Sequence, residues 1–299
     1  MGAEEDEAMH SQKLGWLLLS PTILILGLFG IFPFIYVVWV SFHQWNPFAA
    51  NPLMVFNWAS NYRTLVFDKQ FLASLGITIA FVFFAVVSEL ILGYILAQAL
   101  MKDFPGKAFF RTIHTLPLIM APIIVGSVWK LMTTPSIGII PYLLRSWFGY
   151  DLNIGQSALA AFTITVIMDV WHWTPLVTLS LIAALVSLPP DPFEQAQIDG
   201  AGKSQIFWHI TLPLIRPALL ATVFIRLMDA LRTVDEVLML TGGGPGSSTR
   251  YIGVHIFREV FPKTNYGYGS AISVVVLYLT IVVCWLLYVG LIAPRAKKG

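Results

Sequence analysis

The chain of 299 residues is 57% hydrophobic and only 11% charged, a balance that excludes a water-soluble domain and indicates a multi-pass membrane protein. Its net charge of +2 comes with no basic run, which argues against a nucleic-acid partner. The single cysteine, Cys284, lies inside an apolar run, so neither a disulfide framework nor a cysteine-based metal site is expected.

A bilayer core about 30 Å thick asks for roughly 20 apolar residues per helix. Six stretches qualify: Leu14–Phe42, Leu72–Met101, Thr112–Met132, Gln156–Leu188, Leu214–Leu240 and Gly269–Ile292. The expected fold is therefore an all-α, six-helix membrane protein, with one domain over 14–292 and tails at 1–13 and 293–299. The first run is much longer than the roughly 7–15-residue core of a signal peptide. It follows an acidic head, Glu4–Glu7, and lacks an Ala-x-Ala cleavage pattern, so it reads as a retained helix. Six crossings put both termini on one side. The Lys and Arg residues of that side, among them Lys13, Lys102, Lys107, Arg111, Lys203, Arg216 and Arg295, occupy shorter segments than those opposite, which places both termini in the cytoplasm. On the outer side, Ile139–Phe148 reads as a short interfacial helix. Tyr36, Trp39, Tyr266, Tyr268, Trp285 and Tyr288, at the run ends, suit interfacial belts. No external loop approaches domain size, so capture of a solute outside requires another chain.

Between the fourth and fifth runs the pattern is interrupted by DPFEQAQIDGAGKSQIFWHITLPLIRP, residues 191–217. Asp191 can cap a helix, Pro192 suits its first position and Glu194 can complete a capping box. Gly200 supplies a left-handed residue to end it. A second helix from Ser204 carries Ile206, Phe207 and Ile210 on one side until Pro213 interrupts it. The expected product is a cytoplasmic helix-turn-helix knob over 191–213. Gly202-Lys203-Ser204 is not a phosphate-binding loop, because Gln197 stands where that loop needs its first glycine.

The spacing Glu194, Ala196, Gly200, Ile210, Leu212, Pro213 resembles the EAA signature, E-A-A-x3-G-x9-I-x-L-P, of permease subunits of ABC importers. Gln195 departs from it, standing at the first alanine. Asp199-Gly200-Ala201 looks like the carbohydrate-type subgroup, and Leu240, Thr241, Gly243, Gly244 and Pro245 match a Leu-Thr-x-Gly-Gly-Pro segment familiar in sugar permeases. The resemblance implies the type I ABC importer permease fold and a bacterial inner-membrane location. It also implies a second homologous permease, an ATP-binding cassette ATPase dimer and a substrate-binding protein as partners, and a sugar or sugar conjugate as substrate. This chain would hold no cofactor, with ATP and Mg on the ATPase subunits. It would couple to them through Glu194, Ala196, Asp199, Gly200, Ala201, Ile210, Leu212 and Pro213.

Ionisable residues inside a membrane are costly and mark function or pairing. The fifth run carries Arg226, Asp229, Arg232, Asp235 and Glu236, whose spacing permits an i, i+3 and i, i+4 ion ladder or contact with a solute in a watery path. The fourth carries Asp169, Trp171, His172, Trp173 and Thr174 before Pro175. Rings beside hydrogen-bonding groups suit a sugar, and a proline break would free carbonyls to line a cavity, although the three aromatics serve equally as packing. The expected solute path thus comprises Asp169, Trp171, His172, Trp173, Asp229, Arg232 and Asp235. Glu89, alone in the second run, is expected to pair across helices. No histidine lies at ligand spacing from His172, so no metal is expected. No nucleophile, base or paired-carboxylate set suggests an enzyme. The alternative is an ion-coupled secondary transporter using Glu89 or Asp169 as proton carrier, against which stand the capped loop and the lack of an inverted repeat.

Overall fold

The computed structural model describes residues 15–291. The tails at 1–13 and 293–299, with the run ends Leu14 and Ile292, lie outside them.

In chain order, α1 (Gly15–Ser41) precedes a small antiparallel ladder of β1 (His43–Gln44) and β2 (Val55–Phe56). Next come α2 (Ser60–Phe67), α3 (Lys69–Met101), α4 (Lys107–Ile119), α5 (Pro122–Thr133), α6 (Ile139–Phe148), α7 (Ala158–Val186) and α8 (Asp191–Ile198). The chain continues with α9 (Lys203–Ala230), α10 (Asp235–Leu240), α11 (Ile252–Val260) and α12 (Tyr266–Leu291). Helices α1, α3, α7, α9 and α12 are each long and apolar enough to cross a bilayer, and α4 with α5 completes a sixth span when taken together. The expected helix at Ile139–Phe148 is α6.

Two expected spans are not single rods. Thr112–Met132 is divided between α4 and α5, whose axes differ by 104°. Met120 and Ala121 are extended between them, because the ring of Pro122 pushes the residue before it out of the helical region and suits the start of a new helix. Leu214–Leu240 is shifted: α9 starts earlier, at Lys203, and ends at Ala230, leaving α10 separate. Pro213 does not interrupt the chain as expected. The Leu212 N–H reaches back five residues to the Phe207 carbonyl, and this widened turn, Phe207–Thr211, accommodates the proline that follows. Pro175 also lies inside an unbroken α7, so the expected proline break is absent. Neighbours packed around this span, 56% of whose most apolar window is buried, hold it together.

Packing divides the chain into two compact units. The first comprises the residues up to Asp68 with Ile256–Leu279. In it, Asn61 Nδ2 donates to the carbonyls of Ser41 and His43, holding the start of the ladder against the end of α1. The Tyr268 hydroxyl donates to Asp68, and Tyr266 packs on Trp45.

The second unit is Lys69–His255 with the chain from Thr280 on. Here α3, α4 and α9 pack on α7, and α10 packs on α5. Phe81, Ala85, Ala230, Val237 and Tyr251 form one buried cluster, and Val125, Trp129, Ile164, Met168 and Leu240 contribute to another. Lipid chains are as apolar as leucine, so contact between such helices depends on how closely their backbones approach. At Gly126 of α5 a Cβ would lie 2.4 Å from the Glu236 carbonyl oxygen of α10. Gly126→Ala is therefore expected to cost about 1–3 kcal/mol by prising α5 from α10. Gly76→Ala, where a Cβ meets nothing within 4 Å, is expected to be neutral or to stabilise by up to about 1 kcal/mol. Thermal unfolding of the detergent-purified variants compares the two.

Candidate functional site

Helices α3, α7 and α9 meet at Arg226, which is fully buried. Its guanidinium donates from Nε to Glu89 Oε2 at 2.6 Å and from Nη2 to Glu89 Oε1 at 2.7 Å. It also donates from Nη2 to Asp169 Oδ2 and from Nη1 to Asp229 Oδ2, both at 2.8 Å. The Trp173 ring stacks on it, with its centroid 4.8 Å from Cζ. A cation this deep requires close partners to offset its lost hydration, and the planar fork provides for several at once. The expected cross-helix partner of Glu89 is thus Arg226. Three carboxylates share one guanidinium, so the cluster has surplus negative character, and Asp169 Oδ1 is buried without a hydrogen-bond partner.

Beside the cluster, a cavity of about 370 Å³ is lined by Pro122, Trp173, Asp229, Arg232, Thr233, Val234, Asp235 and Glu236. That volume lies within the range of small-molecule sites. Much of its wall is the chain between α9 and α10, where the backbone leaves the helix. Four of the residues expected on the solute path, Trp173, Asp229, Arg232 and Asp235, therefore share one cavity wall. Asp169 and His172 are buried and do not line it. Trp171 does not join the group either: it packs on Trp129 and borders a separate, mainly apolar cavity of about 510 Å³ with Leu96, Phe110, His114 and Pro117. The expected ladder is reduced to one rung, Arg226 with Asp229. The break after Ala230 takes Asp235 out of register, and Arg232 Nε donates to the Met228 carbonyl instead.

The knob has the expected turn by a different route. Pro190, not Asp191, caps α8: its carbonyl accepts from Phe193 and Glu194, and no side-chain cap forms, so the capping box is absent. At the other end Gly200 has φ +75°, its N–H donates to the Gln197 carbonyl, and the Ala201 N–H donates to Ala196. This pair of bonds reverses the chain only with a left-handed residue between them. Ala196 is buried, Ala201, Ile210 and Leu212 are half-buried, and Glu194, Gln195, Asp199 and Pro213 are exposed. The Gly202 N–H, where α9 begins, donates to Gln205 Oε1 at 2.8 Å.

Sequence reading missed the central position of Arg226 and a contact at the α4–α5 break, where His172 reaches the Met120 carbonyl. The first had a signal, since an isolated intramembrane acid such as Glu89 requires a cation at its own depth. The second had only Pro122.

Residues 89–298 match the family described as the binding-protein-dependent transport system inner membrane component. The chain belongs to this family. It is a membrane-embedded transport subunit rather than an enzyme, and a permease by the names of its relatives. The trehalose/maltose transport system permease protein MalF of Thermococcus litoralis is 36% identical to it, over 90% of this chain and 90% of that one. The sn-glycerol-3-phosphate transport system permease protein UgpA of Escherichia coli is 32% identical, over 91% and 92%. A bacterial ABC transporter involved in importing the acidic polysaccharide alginate superposes with a TM-score of 0.80 at 21% identity, covering 99% of this chain and 100% of that one. The expected type I permease fold is therefore the one formed.

Removing the shared cation leaves the buried acids facing one another. Arg226→Met is expected to cost about 3–5 kcal/mol, and Arg226→Lys much of that, because an ammonium cannot bridge both oxygens of Glu89 in a planar fork. Asp229→Asn, at the partly exposed rim, is expected to stay within about 1 kcal/mol of wild type. Thermal denaturation of the purified chain checks this order.

Proposed function

We propose that this permease carries a sugar or sugar conjugate across a bacterial inner membrane, past the cavity at Trp173, Asp229, Arg232 and Asp235. In this reading it pairs with a second homologous permease, receives solute from a substrate-binding protein and is driven by an ATP-binding cassette ATPase dimer holding ATP and Mg. The knob, through Glu194, Ala196, Asp199, Gly200, Ala201, Ile210, Leu212 and Pro213, docks on the ATPase in the cytoplasm, where both termini also lie. The permease names of the relatives support the sugar class, as does a cavity presenting one aromatic face with carboxylate acceptors and guanidinium donors.

The observation that carries the reading is the continuity of α9. It starts at the end of the knob and runs through 28 residues to Ala230, about 40 Å at 1.5 Å per residue, with Arg226 and Asp229 near its far end. No loop intervenes, so displacement of the knob reorients the cavity wall as a rigid movement. Glu89 and Asp169, which a proton-coupled carrier would use, are both engaged by Arg226.

Uptake by reconstituted vesicles tests this. Dependence on ATP and added subunits supports it, and uptake by the chain alone in an ion gradient overturns it. Gly200→Val is expected to leave the chain inserted and associated but to abolish uptake: open space surrounds the site, but a branched residue resists φ +75°.

A further inference from the structure

One side chain joins both helix breaks beside the cavity. His172 of α7, 1% exposed, lies with Nδ1 2.7 Å from Glu236 Oε1 of α10 and with Nε2 3.3 Å from the Met120 carbonyl at the α4–α5 break. Because α5 and α10 meet backbone to side chain at Gly126, they form a pair, and His172 fastens an end of each member to α7.

A carbonyl oxygen only accepts, so Nε2 carries hydrogen. The contact at Nδ1 then has two bonded forms: an imidazolium donating to the Glu236 carboxylate, or a neutral ring accepting from a protonated Glu236. Both hold one proton more than a neutral ring beside an ionised carboxylate. Without that proton, two lone pairs oppose each other where neither group reaches water. Glu236 Oε2 is buried with no hydrogen-bond partner, so the carboxyl group depends on this one contact.

We propose that His172 is a proton-held latch: with the shared proton it keeps the α5–α10 pair closed against α7, and loss of the proton or of the ring releases the pair. It is a positioning residue that acts through Glu236 and the Met120 carbonyl, not a solute ligand. The charged groups around it are Glu236 from α10, Asp169 from its own helix and, beyond these, Arg226 of α9 with Glu89 of α3 and Asp229. From α4 and α5 it meets the Met120 carbonyl. Only the consequence for transport rests on the cavity being the solute path; the latch itself does not.

The test is maleimide labelling of a cysteine at Val237, a fully buried residue of α10, in the assembled, detergent-purified transporter carrying Cys284→Ala. Rates are normalised to the unfolded chain at the same pH. His172→Phe is expected to raise labelling roughly tenfold, as loss of a buried polar tie shifts a local opening equilibrium. In Glu236→Gln the amide N–H can donate to Nδ1 without a shared proton, so labelling stays slow at every pH. With His172 and Glu236 intact, labelling is expected to accelerate as the pH rises from about 6 toward 10. A His172→Phe rate equal to the parent, a Glu236→Gln rate as fast as His172→Phe, or a parent rate independent of pH overturns the proposal. Failure of the solute path alone would appear as uptake indifferent to Asp229→Asn with Asp235→Asn while this labelling pattern persists, and that pattern still supports the latch.

Discussion

One guanidinium holds the centre of this molecule. Arg226 is fully buried on a membrane helix and is held there by carboxylates from α3, α7 and its own α9. Hydrophobic burial cannot pin helices in a bilayer as it does in water, because the surroundings are apolar already. A charge cluster with few alternative partners can, since each group pulled away would face hydrocarbon alone. The three spans consequently have a common fixed point, and mobility is left to segments that do not share it.

Those segments are the broken ones. The bend between α4 and α5 and the gap between α9 and α10 both adjoin the cavity, and non-helical backbone is tolerated at membrane depth where it borders protein or a water-accessible space. Trp173 connects the two regions, stacking on Arg226 with one part of its surface and facing the cavity with another. A rigid cluster and a pliable wall are thus adjoining parts of one site.

Much of this was legible in the amino-acid order. Long apolar runs located the spans, and fixed spacing from Glu194 to Pro213 located the knob, because length and periodicity are properties of local sequence. The glycine turn at Gly200 followed from the same logic. Prolines were harder to read: of Pro122, Pro175 and Pro213, only Pro122 divides its helix, since a widened turn accommodates Pro213 and enclosing neighbours support α7 around Pro175. The end of α9 at Ala230 carried no glycine or proline to announce it, so the charged residues beyond it were placed on one continuous face. Tertiary contacts decided that break, as they decided which of three adjacent aromatics, Trp171, His172 and Trp173, faces the cavity.

The widened turn at Phe207–Thr211 has a further implication for how such a chain can change over generations. A turn closed over five residues contains one residue more than a regular helix needs. Insertions or deletions there can be absorbed locally, without rotating everything downstream and scattering the groups gathered on Arg226. The cytoplasmic elbow and the intramembrane chemistry are therefore mechanically linked yet free to diversify apart, so that one may be refitted to a new neighbour while the other keeps its arrangement.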